Sequence, residues 1–336
     1  MSVEEQVPEG YGIRVAIGDD APAIAELINE VCIAEIGVPW TTVEGTRDAL
    51  TSPGRDPALA DVVLLEPDGQ VIGYLEFEMA TDPLQVDLLA FVRPHLWGKG
   101  LSAWLLRLGE ERARARVALE PPGDPAPLRV ACFTGNQPAR RVFADLGYSY
   151  VRTFWMMRIE LDGPPPVPRV PDGIAIRTFE RGRDEAATHT ALTEAFADHW
   201  GSYSQSFEEW VHRDIEGGGA GFDPGLWFLA TDGGEVVGAA ICRASSPRSE
   251  GTGEVADLGV RRPWRRRGIA LALLQTAFAE LHRRGIRNVE LGVDAESPTG
   301  ATRLYERAGM HEVYSWEFWE KALGPPERIA PSEPVG

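Results

Sequence analysis

The sequence has few of the residues that mark a disulfide framework, a metal site or a membrane span. Its three cysteines, Cys32, Cys132 and Cys242, are odd in number and far apart, which indicates reduced thiols in a cytoplasmic protein. Its six histidines form no HExxH pair, and no other spacing suggests a metal site. The start, MSVEEQVPEG, is acidic and has no apolar run, which argues against a signal peptide or a membrane span.

Basic residues are also in the minority, with 33 lysines and arginines against 51 aspartates and glutamates and a formal net charge of −18. Duplex binding is led by neutralisation of phosphates, so nucleic acid is not the expected partner. A length of 336 residues suits two domains of ordinary size. Composition leaves the oligomeric state open.

Arginines nevertheless concentrate in one segment, VRRPWRRRGIA, residues 260–270, which follows an apolar strand and opens a long helical pattern. Gly268 stands where the loop becomes the helix. A helix start leaves backbone N–H groups unpaired and carries partial positive charge, and a glycine lets an anion approach that backbone closely. The segment therefore predicts a phosphate site. Its arginines are Arg261, Arg262, Arg265, Arg266 and Arg267.

The chain reads as one pattern written twice. VRPHLWGKGLSAWLL begins at Val92 and VRRPWRRRGIALALL begins at Val260, so that Gly100 and Gly268 align. Between the copies, the proline-rich stretch LDGPPPVPRVPDG favours an extended linker. We therefore predict a domain over 11–161, a linker over 162–173, a second domain over 174–323 and a disordered tail over 324–336.

Each copy shows the same order of elements: a strand, helices, several strands, a loop with a long helix, a strand, a short helix and a final strand. The long helix after Gly268 is predicted from apolar residues at three- and four-residue spacing. These are Leu273, Leu274, Ala277, Phe278 and Leu281. The run NVELGV that follows is typical of a strand. The expected class is an α/β layered fold.

Two motifs of the second copy resemble signatures of the GNAT acyltransferase superfamily. RRRGIA, residues 265–270, is similar to its coenzyme A loop, R/Q-x-x-G-x-G/A, and LYERAGM, residues 304–310, is similar to L-Y-x-x-x-G-F. The resemblance covers 172–323 and, more weakly, 11–161. It implies two tandem GNAT domains, each a mixed central sheet with flanking helices. It also implies acetyl-CoA as acyl donor, a small amine as acceptor and no metal.

The resemblance also implies which residues hold the donor. The loop and helix start would bind the pyrophosphate, and the end of the preceding strand would bind the pantetheine arm. Ser297 stands where many members carry an asparagine that contacts the pantetheine region, and its hydroxyl would replace that amide in part. The implied CoA-binding residues are Leu258, Gly259, Val260, Arg265, Arg266, Arg267, Gly268, Ile269, Ala270 and Ser297.

Acetyl transfer needs a neutral amine and a proton for the departing thiolate. The resemblance places Tyr305 at the family's tyrosine position, where its hydroxyl would protonate the sulfur. Glu254 stands where several members carry their general base. Asp257, or a water chain to another carboxylate, remains an alternative base.

The first copy departs from the pattern. Trp97 replaces the first Arg or Gln of the loop, Phe143 takes the tyrosine position and Val86 takes the place of Glu254, whereas Asn136 keeps the family's asparagine. We therefore expect no acetyl transfer there. CoA binding and a purely structural role both remain open for this half.

The acceptor is the least determined partner. The resemblance places residues 195–222 along its wall, and their mixture of aromatics and acids would suit a cationic amine. The same alternation is typical of an amphipathic helix, which is the favoured interpretation. Gly217 to Gly219 suggest a mobile loop. Three functions stay open: a general small-amine acetyltransferase, acetylation of a cysteinyl amine as in tandem mycothiol-synthase-type members, and non-catalytic acyl-CoA sensing.

Overall fold

The computed structural model describes residues 3, 7–52, 56–79, 85–119, 126–200, 206–216, 222–246, 251–297 and 299–323. The predicted tail, 324–336, and the predicted mobile loop, 217–219, lie outside these residues. None of the described helices is both long and apolar enough to cross a lipid bilayer.

The described residues form eight α-helices and twelve strands, besides short 3-10 and π-helical turns. The helices are α1 (Ala21–Ile36), α2 (Val43–Thr51), α3 (Leu101–Val117), α4 (Gln137–Asp145), α5 (Glu185–Phe196), α6 (Phe207–Val211), α7 (Ile269–Arg283) and α8 (Ala301–Arg307). The strands are β1 (Gly12–Val15), β2 (Val62–Leu65), β3 (Val71–Met79), β4 (Val86–Val92), β5 (Ala126–Phe133), β6 (Ser149–Glu160), β7 (Ile174–Thr178), β8 (Trp227–Asp232), β9 (Glu235–Arg243), β10 (Thr252–Val260), β11 (Asn288–Asp294) and β12 (His311–Leu323).

The chain divides into two compact units, each with a central sheet. The first unit comprises 1–151 and 317–336, and the second comprises 152–316. The strand order is β1-β2-β3-β4-β5-β12 in the first and β6-β11-β10-β9-β8-β7 in the second. Parallel pairing of β4 with β5 and of β10 with β11, among antiparallel neighbours, makes each sheet mixed. The predicted α/β class is confirmed.

The compact units depart from the predicted boundaries at two strands. The division falls within β6 and within β12 instead of at the linker, residues 162–173. β6 pairs antiparallel with β11, from Glu160 opposite Asn288 to Phe154 opposite Asp294. The predicted domains, 11–161 and 174–323, place the whole of β6 in the first domain and the whole of β12 in the second. The structure differs because β6 satisfies its backbone N–H and C=O groups by pairing with β11 of the second unit.

An arginine–aspartate ion pair joins a strand to the helix that follows it in both units. Arg14 on β1 donates to both carboxylate oxygens of Asp20 at 2.6 and 2.7 Å, and Asp20 is the N-cap of α1. Arg177 on β7 binds Asp184 at the start of α5 in the same way, at 2.5 and 2.8 Å. In both units the arginine lowers the pKa of the aspartate below its ordinary value. The two halves are therefore alike in local chemistry as well as in strand order.

Helices pack on both faces of the second unit's sheet. The predicted apolar face of α7 is buried against β8, β9 and β10. On the opposite face of the sheet, α5 packs directly on Gly259, where a Cβ would lie 2.8 Å from the Cβ of Ala195. Only a glycine allows α5 this close to β10.

Candidate active site

A cavity opens in the second unit where β10 and β11 separate. Their parallel pairing covers only three register pairs, from Thr252 opposite Asn288 to Glu254 opposite Glu290. Beyond that point both strands line a cavity of about 970 Å³, which also reaches the arginine-rich loop and α8. The gap between two parallel strands thus provides a groove with backbone groups on both sides.

The arginine-rich loop has a backbone shaped for an anion. Arg266 and Gly268 adopt left-handed conformations, with φ of 64° and 87°, and α7 begins directly afterwards. Alternation of left-handed and ordinary residues aims successive N–H groups into one concavity, and the helix start adds partial positive charge. In the first unit Gly98 and Gly100 have similar φ values of 81° and 80°. The cradle is therefore built twice.

Most of the loop's arginines are engaged by carboxylates of the protein. The partners are Glu194 and Glu235 for Arg261, Asp198 for Arg262 and Arg265, and Asp232 for Arg267. Arg266 is exposed and lines the cavity, and no hydrogen bond or ion pair binds its guanidinium within the described part of the chain. The positive charge that the loop offers to a ligand is therefore that of Arg266 together with the backbone amides.

Arg265 fixes the position of the loop. Its guanidinium donates to the carbonyl of Ala195 at 2.8 Å, to that of Val260 at 3.1 Å and to the carboxylate of Asp198 at 3.1 Å. These bonds tie the loop to α5 and to the end of β10. In the first unit, the indole of Trp97 donates at 2.7 Å to the carbonyl of Val92, the equivalent acceptor.

A β-bulge in β10 places two carboxylates on the same side of the sheet. Glu254 lies opposite Arg243 and Asp257 lies opposite Ile241, with Ala256 as the extra residue between them. Directly opposed residues share a face, and so do residues two apart on β9. Glu254 and Asp257 therefore share a face, although their three-residue spacing would separate them in a regular strand.

The carboxylates and Tyr305 reach the sheet from opposite faces. Ile241, on the carboxylate face, packs with Trp210 beneath α5 and α6. Tyr305 belongs to the cluster on the other face, together with Val255 and the apolar side of α7. Tyr305 lines the cavity directly, whereas Glu254 and Asp257 lie beside it on the other face of the sheet and are not among its lining residues.

Burial sets the protonation of these groups. Tyr305 is 7% exposed, and burial raises the pKa of its hydroxyl, which the nearby Asp257 carboxylate raises further. Burial also raises the pKa of Asp257 to about 6, with a contribution from Asp214. Glu254 is 9% exposed and accepts a 2.9 Å hydrogen bond from Arg243. At neutral pH Tyr305 is thus a proton donor and Asp257 is mostly a proton acceptor.

Nine of the twelve predicted site residues line the cavity: Leu258, Gly259, Val260, Arg265, Arg266, Gly268, Ile269, Ala270 and Tyr305. Three are not among the lining residues. Glu254 lies at the last paired position before the gap, and Arg267 faces Asp232 at 3.4 Å. The hydroxyl of Ser297 is 2.9 Å from that of Thr299, and Thr299 lines the cavity instead.

Four polar residues of the cavity wall were not singled out in the sequence, although His199 belongs to the predicted acceptor stretch 195–222: His199, Asp294, Arg303 and Arg307. Arg303 and Arg307 flank Tyr305 at four-residue spacing, a signal that was available in the sequence. His199 lies three residues after the end of α5 and Asp294 ends β11, and no sequence pattern joins them. Burial lowers the pKa of His199, which favours its neutral form.

The stretch predicted as an acceptor wall, 195–222, serves several purposes. Trp210 is 4% exposed and fills the core, which agrees with the amphipathic-helix interpretation. Trp200 lies 6.2 Å, centroid to centroid, from Phe154, which lines the cavity. Tyr203, another aromatic residue of this stretch, lies outside the described residues.

The sequence matches a family model in both halves. The model of the Acetyltransferase (GNAT) family matches residues 29–148 and 188–310. A mycothiol acetyltransferase of Geodermatophilus obscurus is 34% identical over 268 residues, which cover 78% of this chain and 82% of that protein. One of Thermobispora bispora is 35% identical over 259 residues, covering 76% and 81%.

Solved structures agree with the sequence matches. A GCN5-related N-acetyltransferase of Sphaerobacter thermophilus is similar with a TM-score of 0.82 and 38% identity, covering 95% of this chain and 98% of that one. A tandem GNAT protein from the clavulanic acid biosynthesis pathway shares the fold with a TM-score of 0.70 at 16% identity, covering 94% and 99%. The chain therefore belongs to the GNAT family of acetyltransferases and carries two GNAT domains in tandem.

Proposed function

We propose that this enzyme transfers an acetyl group from acetyl-CoA to a primary amine of a small molecule, with the chemistry in the second unit. The observation that carries the proposal is one cavity bounded by an amide cradle at Arg266–Gly268 and by the hydroxyl of Tyr305. The first holds phosphates and the second supplies a proton. The gap between β10 and β11 connects them.

The donor is held by backbone groups along the cavity. The cradle and the Arg266 guanidinium bind the pyrophosphate, because amides and positive charge converge there. Residues Leu258 to Val260 bind the pantetheine arm through their backbone. A backbone N–H of this stretch polarises the thioester carbonyl and stabilises the tetrahedral oxyanion.

Proton transfer uses groups from both faces of the sheet. The amine nitrogen attacks the thioester carbon, the C–N bond forms and the C–S bond breaks. Glu254 takes the proton of the amine as the general base, and Asp257 beside it accepts that proton when it is ionised. Tyr305 donates its proton to the departing thiolate and regains one from solvent. The products are an N-acetylated amine and free CoA.

The first unit is proposed to have no acetyl-transfer activity. Phe143, at the tyrosine position, is packed between Tyr148 and Trp319 and carries no hydroxyl. Val86, at the place of Glu254, is buried in the core, and β3 pairs with β4 over the described register without the shift seen in β10. At the positions equivalent to Tyr305 and Glu254, this half therefore has neither a hydroxyl nor a carboxylate.

A second, narrower candidate is acetylation of the cysteinyl amine of a mycothiol precursor. It is favoured by curated relatives named mycothiol acetyltransferase at 31–35% identity, each covering more than two thirds of this chain. This acceptor is a primary amine, so the mechanism above applies to it unchanged.

The test is CoA release from acetyl-CoA in the presence of single amines: a cysteinyl amino-sugar conjugate, the same sugar without cysteine, and a polyamine. Turnover limited to the cysteinyl compound would establish the narrower acceptor. Acetyl-CoA binding without turnover on any amine would replace the enzyme proposal with a sensing role. Calorimetry counts the sites, and two CoA per chain would show that the first cradle also binds.

Asp198→Asn should weaken donor binding without touching the chemistry. Asp198 is the shared partner of Arg262 and Arg265, so its neutralisation loosens the loop from α5. Loss of charge-assisted hydrogen bonds predicts a KM for acetyl-CoA raised about 10-fold, with kcat little changed. Steady-state kinetics check this. The control is Glu280→Gln, whose partners Arg283 and Arg284 lie on the far end of α7. An unchanged KM in Asp198→Asn would contradict the positioning role.

A further inference from the structure

Two arginines of α8 give the cavity a second centre of positive charge. Arg303 and Arg307 are exposed, and both line the cavity. Their four-residue spacing places them on one face of the helix, where like charges repel. In the described part of the chain no hydrogen bond or ion pair binds either guanidinium to a carboxylate. In a protein with 51 acidic side chains, two neighbouring arginines without such partners are available to an anionic ligand.

This centre is separate from the loop. The cradle consists of backbone amides and the free guanidinium of Arg266, because the other four loop arginines are bound by carboxylates. It suits the pyrophosphate, held against a helix start. The α8 pair offers guanidinium groups without a cradle of amides. Such a pair suits an exposed terminal phosphate, which two planar forks can bind by several hydrogen bonds.

The residues of α8 distinguish an inner, buried end of the cavity from an outer, exposed end. Tyr305 lies two residues from each arginine, about 200° around the helix, and it is buried whereas they are exposed. The hydroxyl that acts on the thioester therefore lies at the inner end and the arginine pair at the outer rim. Acetyl-CoA has the matching polarity, with the thioester at one end and a ribose 3′-phosphate at the nucleotide end.

We propose that Arg303 and Arg307 bind the 3′-phosphate of CoA and make the enzyme select acetyl-CoA over acetyl-dephospho-CoA. This inference rests on the proposed function, since it names a further contact to the same donor. Two charge-assisted contacts predict a KM about 10- to 100-fold lower for acetyl-CoA than for the dephospho compound. Because the 3′-phosphate is remote from the thioester, kcat should be equal for both donors.

The test compares both donors in three variants. In Arg303→Gln/Arg307→Gln, the KM for acetyl-CoA should rise to that for acetyl-dephospho-CoA, which itself should stay unchanged. Arg266→Gln should raise both KM values by the same factor, since the pyrophosphate is common to both donors. Arg283→Gln, an exposed arginine of α7 paired with Glu280, is the matched control and should change neither. Thermal melting confirms that all three variants are folded.

Two results would overturn the inference. If the double variant raises both KM values equally, the arginines act on another part of the donor. If it changes neither KM, they do not contact the donor. Calorimetry with the unmodified protein separates this failure from that of the proposed function. Absence of CoA binding refutes the donor itself, whereas equal binding of CoA and dephospho-CoA refutes only the 3′-phosphate site.

Discussion

Tyr305→Phe should lower kcat by about 10²- to 10³-fold while leaving the KM for acetyl-CoA within about twofold. Removing the hydroxyl deletes the proton donor for the thiolate and keeps the ring that packs in the core. Because burial and Asp257 hold the pKa of Tyr305 above its ordinary value, the donor stays protonated throughout the neutral range. Pre-steady-state and steady-state CoA release measure the effect.

Tyr314→Phe is the matched control for that experiment. Tyr314 is a buried tyrosine of the second unit on β12, outside the residues that line the cavity. It should keep kcat while reporting any general cost of losing a buried hydroxyl. Wild-type kcat in Tyr305→Phe would remove Tyr305 from the mechanism and leave thiolate protonation to solvent.

Glu254→Gln should lower kcat/KM by about 100-fold and change its dependence on pH. In the wild-type enzyme, kcat/KM should rise as the pH passes about 6, because Asp257 accepts a proton only when ionised. The charge of Glu254 contributes to the raised pKa of Asp257, after burial and Asp214. Its removal should therefore move the acid limb of the profile below pH 6, and Asp257→Asn should abolish that limb.

The control for Glu254→Gln is Glu290→Gln. Glu290 is the register partner of Glu254 on β11 and is also buried and ion-paired, to Arg158 at 3.2 Å. It measures the cost of breaking a buried pair in this sheet, which melting temperatures report. Full activity in Glu254→Gln, combined with loss in Asp257→Asn, would make Asp257 alone the base.

The fold was largely predictable because its signals are local. The spacing from Leu273 to Leu281 predicts α7, and the structure buries that face. Gly268, predicted to stand at the start of this helix, is the N-cap of α7. The proline-rich linker was visible as well, yet it does not coincide with the division between the compact units. Most of β6 belongs to the second unit and part of β12 to the first, and this placement depends on backbone pairing between segments that are distant in the sequence. Hydrophobic periodicity carries no signal for such pairing.

The part of the candidate site that consists of backbone groups was predictable from the sequence. Motifs with glycine at fixed spacing located the cradle, since a left-handed φ at Gly268 is a local requirement. Side-chain partners were not predictable. Five arginines within the seven residues 261–267 suggested a strongly positive loop, whereas Asp198 and three other carboxylates from distant elements neutralise four of them.

By itself, the sequence predicted a tandem GNAT acetyltransferase, which the family matches in both halves confirm, with a glycine before each long helix. It also determined that only the second half retains a tyrosine and a carboxylate at the family's positions. The tertiary structure alone decided that a bulge at Ala256 places Glu254 and Asp257 on one face, and that Arg266 is the loop arginine with no carboxylate partner among the described residues. The physical reason is range. Periodicity and glycine spacing act over a few residues, whereas strand register, burial and ion pairing join residues far apart in the chain.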